Sequence, residues 1–85
     1  MNNVEKILII AREDASTKEE LELANIIYRV EKTSPFHQLD FVVTKYPSDM
    51  CIDDLVDAVV PDCYQFGHSS KVNRDNSITL TVYTD

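Results

Sequence analysis

Four consecutive large apolar side chains at residues 7–10 (Ile-Leu-Ile-Ile) restrict the fold of this chain more than any other stretch does. The run lies between Lys6 and Arg12, and three of its four side chains are β-branched. Such side chains are stiff about χ1 and pack well on a pleated sheet. A strand that is apolar at successive positions is covered on both faces, as central strands of α/β sheets are. We therefore predict a buried strand here.

The same stretch also fits a helix. Val4, Ile7, Leu8 and Ala11 fall at helical spacing, and Asn3 is a suitable N-cap for such a helix. Periodicity alone does not separate the two structures in so short an apolar run, so β-branching decides in favour of the strand.

The size and composition of the chain point to one globular domain. Its 85 residues leave no room for a second domain, and 44% of them are hydrophobic, so a small core can form. No apolar stretch approaches the roughly 20 residues of a membrane-spanning helix. The first residues lack the basic start and small-residue cleavage site of a signal peptide. We expect a cytoplasmic protein.

The charge balance is strongly acidic, with 15 Asp and Glu against 8 Lys and Arg, for a net charge of −7. This argues against direct binding to nucleic acid or to an anionic membrane, because both need clustered cations. It permits a partner protein with a basic surface. The chain contains one glycine. A P-loop and a dinucleotide-binding fingerprint each need several, so both are excluded.

Residues 17–32 are predicted to form the first helix. Two pairs before or at its start fit a capping box, Ser16 with Glu19 and Thr17 with Glu20. An apolar stripe at helical spacing follows, made of Leu23, Ile26, Ile27 and Val30. The helix should end before Pro35, because proline disfavours the α region for the residue that precedes it.

The next segment reads as a strand followed by a second helix. Residues 39–46 are rich in β-branched and aromatic side chains, and Pro47 ends them. Ser48 or Asp49 can cap a helix that Pro61 closes. Its apolar residues lie at i, i+3, i+4 and i+7, namely Ile52, Leu55, Val56 and Val59.

The C-terminal part is predicted to form a β-hairpin. Residues 63–72 give a third strand, interrupted at 67–70, and residues 73–76 have the composition of a turn. Residues 77–84 alternate between apolar and polar, as a half-buried strand does. The predicted fold is therefore a small α/β domain with the order β-α-β-α-β-β, a mixed sheet and a parallel first βαβ unit.

This layout resembles the thioredoxin and glutaredoxin family, in which a β-α-β unit, a helix and a proline precede a terminal hairpin. Pro61 stands where that family keeps a cis-proline. The family's Cys-x-x-Cys is absent, because residues 12–17 contain no cysteine, and its final helix is missing. The resemblance implies a truncated thioredoxin-like module without dithiol chemistry, which would act as an adaptor or structural protein.

A row of aspartates on the second helix is the best candidate for a binding site. Asp49, Asp53 and Asp57 are spaced at i, i+4 and i+8 and so share one helix face, and Asp54 and Asp62 add charge nearby. Aspartate is a poor helix former, and like charges at this spacing destabilise a helix. A sequence selected only for stability would place glutamate and lysine here.

We interpret the row as a surface that binds a basic site on another protein and imitates nucleic-acid phosphates to block it. The predicted contact residues are Asp49, Asp53, Asp54 and Asp57. Successive carboxylates ~6 Å apart along a helix are on the scale of phosphates ~3.4 Å apart along one strand. A solvated polar face is the alternative. Small size and low glycine content suit a virus-encoded inhibitor, which is a hypothesis about origin.

Other chemistry has less support in the sequence. Cys51, Cys63, His37 and His68 are possible metal ligands, but the paired short spacings of structural zinc sites are absent. Cys51 falls in an amphipathic helix and is predicted to be a small buried side chain. Adjacent cysteine, serine and histidine at 63–70 do not define a catalytic dyad without geometry. We predict no enzyme activity, metal or cofactor.

Two other parts of the sequence are possible contact sites. Phe36 lies in a loop and could be exposed, although covering the core edge is the more common role of such a residue. The face formed by Thr79, Thr81 and Tyr83 could leave the last strand open, so that a homodimer forms through it.

Overall fold

The structure, a computed structural model, describes residues 2–12, 20–33, 38–62 and 68–83. Within these ranges the chain forms two helices and five strands in the order α-β-β-β-α-β-β. They are α1 (Asn3–Arg12), β1 (Glu20–Leu23), β2 (Ile26–Thr33), β3 (Gln38–Lys45), α2 (Ile52–Val59), β4 (His68–Val72) and β5 (Ile78–Tyr83). Neither helix is long and apolar enough to cross a membrane.

The strands form one sheet with the order β1-β2-β3-β5-β4, and every neighbouring pair is antiparallel. β3 and β4 both run antiparallel to β5, which lies between them, so they point in the same direction. α2 is thus the crossover of a split β-α-β unit. The predicted order β-α-β-α-β-β, the mixed sheet and the parallel first βαβ unit are wrong. The thioredoxin-like layout, which depends on that unit, is not present.

Residues 7–10 belong to α1, so the predicted strand there is wrong and the helical alternative is correct. The N-cap is Asn2 and not the expected Asn3, which is the first residue of α1. The Asn2 side chain accepts a hydrogen bond of 2.8 Å from the Glu5 backbone N–H. Ile7 is buried, and Ile10 and Ala11 pack against the core beside it at helical spacing. The β-branched side chains misled the prediction. Each lowers the stability of a helix by only ~0.5 kcal/mol, which is less than the stabilisation that core packing provides.

The predicted helix at 17–32 is also wrong, because residues 20–33 form the hairpin of β1 and β2. Burial in β2 has a period of two, with Ile26, Tyr28 and Val30 buried and the residues between them half-buried. Apolar residues at 23, 26, 27 and 30 satisfy the helical spacing by coincidence. The proposed capping-box residues 16–19 lie outside the described residues.

Two residues, Ala24 and Asn25, make the turn between β1 and β2. Both have positive φ, 49° for Ala24 and 69° for Asn25. A two-residue hairpin loop with two positive φ values matches the twist of the strands it joins, and glycine and asparagine are the residues that favour it. Alanine at the first position carries the cost of its Cβ in the left-handed region.

The remaining elements were predicted correctly in kind. β3 occupies most of the expected strand at 39–46, and α2 has the expected apolar stripe. β4 and β5 pair as the antiparallel hairpin, and burial in β5 alternates strictly, with Ile78, Leu80 and Val82 inside. Residues 63–67 of the predicted third strand lie outside the described ranges.

A single core joins the helices to one face of the sheet. It contains Ile7 of α1, Leu55, Val56 and Val59 of α2, and alternate residues of β2, β3 and β5. Neither α1 nor α2 covers the other face, which we call the open sheet face. Cross-strand register places on it alternate residues of the strands, which include Arg29, Glu31, Asp40, Val42, Thr79 and Thr81, together with the exposed Glu20 and Glu22 of β1.

Candidate partner-binding surface

α2 separates apolar and acidic residues onto opposite sides. Leu55, Val56 and Val59 are buried against the sheet. Asp53, Asp54 and Asp57 are exposed, and we call these three residues the acidic helix face. Because residues three and four positions apart are neighbours on a helix, the three carboxylates form one patch.

Asp49 does not extend the predicted row along the helix. It is exposed in a turn before α2, which begins three residues later at Ile52. The turn is closed by a hydrogen bond of 3.1 Å from the Met50 N–H to the Pro47 carbonyl. The i, i+4, i+8 spacing therefore holds on the helix only for Asp53 and Asp57, and Asp49 lies at its N-terminal end.

The acidic helix face has no cation to pair with inside the described part of the molecule. The one ion pair there is Arg29 Nε to Glu31 Oε1 at 3.4 Å, on the open sheet face. Asp49 and Asp62, exposed at either end of α2, are likewise outside any such pair. Five carboxylates along and beside one short helix are thus left to solvent.

The ends of α2 are weakly stabilised by side chains. Asp53 and Asp54 in the first turn favour the positive end of the helix dipole, but the last turn contains no basic residue. The N-cap is Cys51, not the predicted Ser48 or Asp49, and its side chain makes no capping hydrogen bond. Cys51 is exposed, so the prediction that it is a small buried side chain is wrong.

Carboxylates on and beside the open sheet face are held by hydrogen bonds. Asp40 accepts from Thr81 Oγ1 at 2.8 Å and from Gln38 Nε2 at 3.2 Å. Asp75 accepts from the Ser77 hydroxyl at 2.6 Å and from the Ser77 N–H at 3.0 Å. These two bonds, the side-chain one first, lower the pKa of the Asp75 carboxyl below its ordinary value.

The possible metal ligands do not form a site in the described ranges, where no three Cys, His, Asp or Glu residues are grouped to hold an ion. Cys51 is exposed at the start of α2, and His68 begins β4. Cys63 and His37 lie outside the described residues, as does Phe36. A dyad formed by residues 63–70 therefore involves residues outside the described ranges.

The last strand has a neighbour on each side. β5 pairs with β3 along one edge and with β4 along the other, so its backbone is not available to a second chain. Thr79 and Thr81 are half-buried and Tyr83 is 52% exposed. The edge strands of the sheet are β1 and β4. A homodimer formed by strand pairing would have to use one of these two.

A groove between the two helices was not anticipated from the sequence. It has a volume of about 390 Å³ and is lined by Val4 of α1, by Ala58 and Pro61, and by Asp57 and Asp62. Val4 is 49% exposed there. The prediction missed it because residues 7–10 were assigned to a strand, whereas the helical alternative would have placed Val4 on an amphipathic helix.

Comparisons with known proteins identify no relative of this chain. A scan against family models, a search of curated proteins and a search of solved structures each returned no match.

Proposed function

We propose that this domain binds a basic surface on a partner protein through the acidic helix face, and that it inhibits the partner by occupying a site for nucleic-acid phosphates. The contact residues are Asp53, Asp54 and Asp57, with Asp49 at the N-terminal end of α2. The proposal assigns binding without catalysis and needs no cofactor.

The observation that carries the proposal is the absence of any internal partner for these exposed carboxylates in the described ranges. Asp40 and Asp75, on and beside the open sheet face, accept hydrogen bonds from neighbouring residues, as carboxylates that serve the fold do. Complementary potentials between two surfaces accelerate association and select the partner.

Competition with nucleic acid follows from the charge. Asp53 and Asp57 are one helical turn apart, ~6 Å along the axis, which is comparable to the spacing of neighbouring phosphates. A protein with a net charge of −7 would itself be repelled by nucleic acid. The expected partner is therefore a nucleic-acid-binding protein.

The test compares two double variants that remove the same charge. Asp53→Asn with Asp57→Asn neutralises the acidic helix face, and Glu20→Gln with Glu22→Gln neutralises two exposed carboxylates on β1. Partners are captured from cells at about 50 mM and about 200 mM salt, identified by mass spectrometry, and titrated with each protein.

We expect the helix variant to bind the captured partner at least about tenfold more weakly and the strand variant to bind nearly as well as wild type. Wild type should also displace a labelled nucleic acid from that partner, with an affinity that falls steeply as salt rises. Equal binding by both variants would refute the role of the helix. Binding without displacement would refute inhibition by mimicry.

A further inference from the structure

The groove between α1 and α2 combines an apolar floor with an acidic rim. Val4, Ala58 and Pro61 supply apolar surface, and Asp57 and Asp62 supply carboxylates at its edge. Val4 is a large apolar side chain, yet about half of its surface is exposed. The volume of the groove, about 390 Å³, is within the range of pockets that hold a small ligand or one long side chain.

The electrostatics of the groove favour a cation. It lies at the C-terminal end of α2, where the helix dipole places partial negative charge. Lysine or arginine commonly occupies this end of a helix, but the last turn of α2 has no basic residue. Within the described ranges neither Asp57 nor Asp62 forms an ion pair. Three sources of negative charge therefore meet beside apolar surface.

We infer that this groove receives an arginine side chain of the partner's basic surface. The aliphatic part of the side chain would cover Val4 and Pro61, and the guanidinium would lie between Asp57 and Asp62. Arginine combines these properties better than lysine, because its planar charged group is weakly hydrated and pairs well with carboxylates. The inference rests on the proposed function and names the position at which the partner is anchored.

The probe for this site is a blocked peptide of eight arginines, which replaces the unidentified partner. The ¹⁵N-labelled protein is titrated with it, amide shifts are mapped, and affinity is measured by calorimetry. Two matched pairs of variants are compared. Asp62→Asn is paired with Asp49→Asn. Val4→Thr is paired with Val72→Thr, which alters a valine on β4 that is 58% exposed and does not line the groove.

Shifts should concentrate at Val4 and residues 57–62. Asp62→Asn should weaken binding about tenfold and Asp49→Asn about twofold, because only Asp62 lines the groove. Val4→Thr should weaken binding about threefold to tenfold without a change of charge, and Val72→Thr should leave it unchanged. Shift mapping on the wild-type protein decides the question even if a variant folds poorly.

The outcomes separate this inference from the proposed function. If the shifts are spread over residues 49–57 and the two variants of each pair have equal effects, arginine does not bind in the groove. The acidic helix face would then bind its partner by electrostatic attraction alone. Absence of any binding at low salt would overturn both.

Discussion

The acidic helix face differs from a group of three carboxylates on and beside the open sheet face. On and beside the open sheet face, Asp40 and Asp75 accept hydrogen bonds from Thr81 and Ser77, and Glu31 pairs with Arg29. On the acidic helix face, the three aspartates have no such partners among the described residues. The first set contributes to the fold, and the second set adds charge without an internal use.

This difference separates the acids that serve the fold from those proposed to bind a partner more clearly than charge alone does. A bonded carboxylate fixes a turn or a register, so its loss should be visible in stability. An unpaired carboxylate on a solvent-exposed helix should be visible only in binding. Measurements of unfolding therefore test the comparison without knowledge of the partner.

The largest expected effect is at Ser77, which is 6% exposed. Its hydroxyl donates to Asp75 and accepts a bond of 3.0 Å from Asn73 Nδ2. Ser77→Ala removes both of these bonds, one of them to a charged group, and leaves Asp75 only the Ser77 N–H and Asn73 only Thr79 Oγ1. It should cost about 1–3 kcal/mol in the free energy of unfolding, measured with urea. The control Ser69→Ala, at an exposed position of β4, should be neutral. Equal stability of the two variants would mean that the hydrogen bonds beside the open sheet face contribute little.

The turn between β1 and β2 should give the next effect. Ala24→Gly removes the cost of a Cβ at a φ of 49° and should stabilise the protein by about 1 kcal/mol. In a domain of this size the melting temperature should rise by about 4–8 °C. Ala58→Gly, in the last turn of α2, should instead destabilise by about 0.5–1 kcal/mol. A loss of stability in both variants would contradict the positive φ at Ala24.

The helix that carries the unpaired acids has a weak N-cap that can be improved. Cys51→Ser supplies a hydroxyl that accepts a hydrogen bond from a free N–H of the first turn of α2. We expect a gain of about 0.5–1 kcal/mol, seen as a higher urea midpoint at an unchanged slope. Cys51→Ala should give no gain, and a gain of equal size would show that loss of the thiol, not capping, is responsible.

The pH dependence of stability should report Asp75. Because its pKa is lowered in the folded protein, the unfolded state binds more protons as pH falls below the ordinary carboxyl value. Stability from this group is complete above about pH 4 and is lost as pH falls through the folded pKa. Asp75→Asn should flatten this acid limb of the urea midpoint. An unchanged limb would exclude Asp75 as its source.

Buried Tyr28 contrasts with these satisfied groups. Its hydroxyl has no hydrogen-bond partner by geometry in the described residues, although the Asn3 amide, which donates to the Glu22 carbonyl, lies near it. Burial raises the pKa of the phenol, and Asn3 offsets part of this rise. The carboxylates Asp40 and Asp75 beside the open sheet face thus have hydrogen-bond partners, whereas the buried Tyr28 hydroxyl has none among the described residues.

The sequence predicted correctly those elements in which the spacing of apolar residues and the residues at the ends indicate the same structure. α2 lies between Pro47 and Pro61 and has a clear apolar stripe, and β5 alternates without interruption. The hairpin of β1 and β2 was missed because its turn, Ala24-Asn25, has no glycine to mark it. Without that break, apolar residues in two strands imitate one helix. Tertiary packing, which local patterns do not contain, decided both this segment and α1.

For the candidate site, the sequence identified the acidic residues but not their setting. It placed Asp49, Asp53 and Asp57 on one helix face beside the apolar stripe, with Asp54 nearby. Asp53, Asp54 and Asp57 are exposed on α2, whereas Asp49 lies in the turn before it. It could not show whether distant lysines or arginines neutralise them, because that depends on the sheet order. Nor could it bring Val4 next to Pro61, since the two residues meet only through the packing of α1 and α2.

The smallest expected effect on stability, and the most decisive for the comparison, belongs to the acidic helix face. Asp53→Asn with Asp57→Asn removes a like-charge pair one turn apart but also one acid from the first turn, where it favours the helix dipole. These opposite effects should leave the melting temperature within about 2 °C of wild type. A large loss would mean that these aspartates serve the fold after all, and the distinction between the two faces would fail. An unchanged melting temperature, together with loss of the captured partner, would place their role outside the molecule.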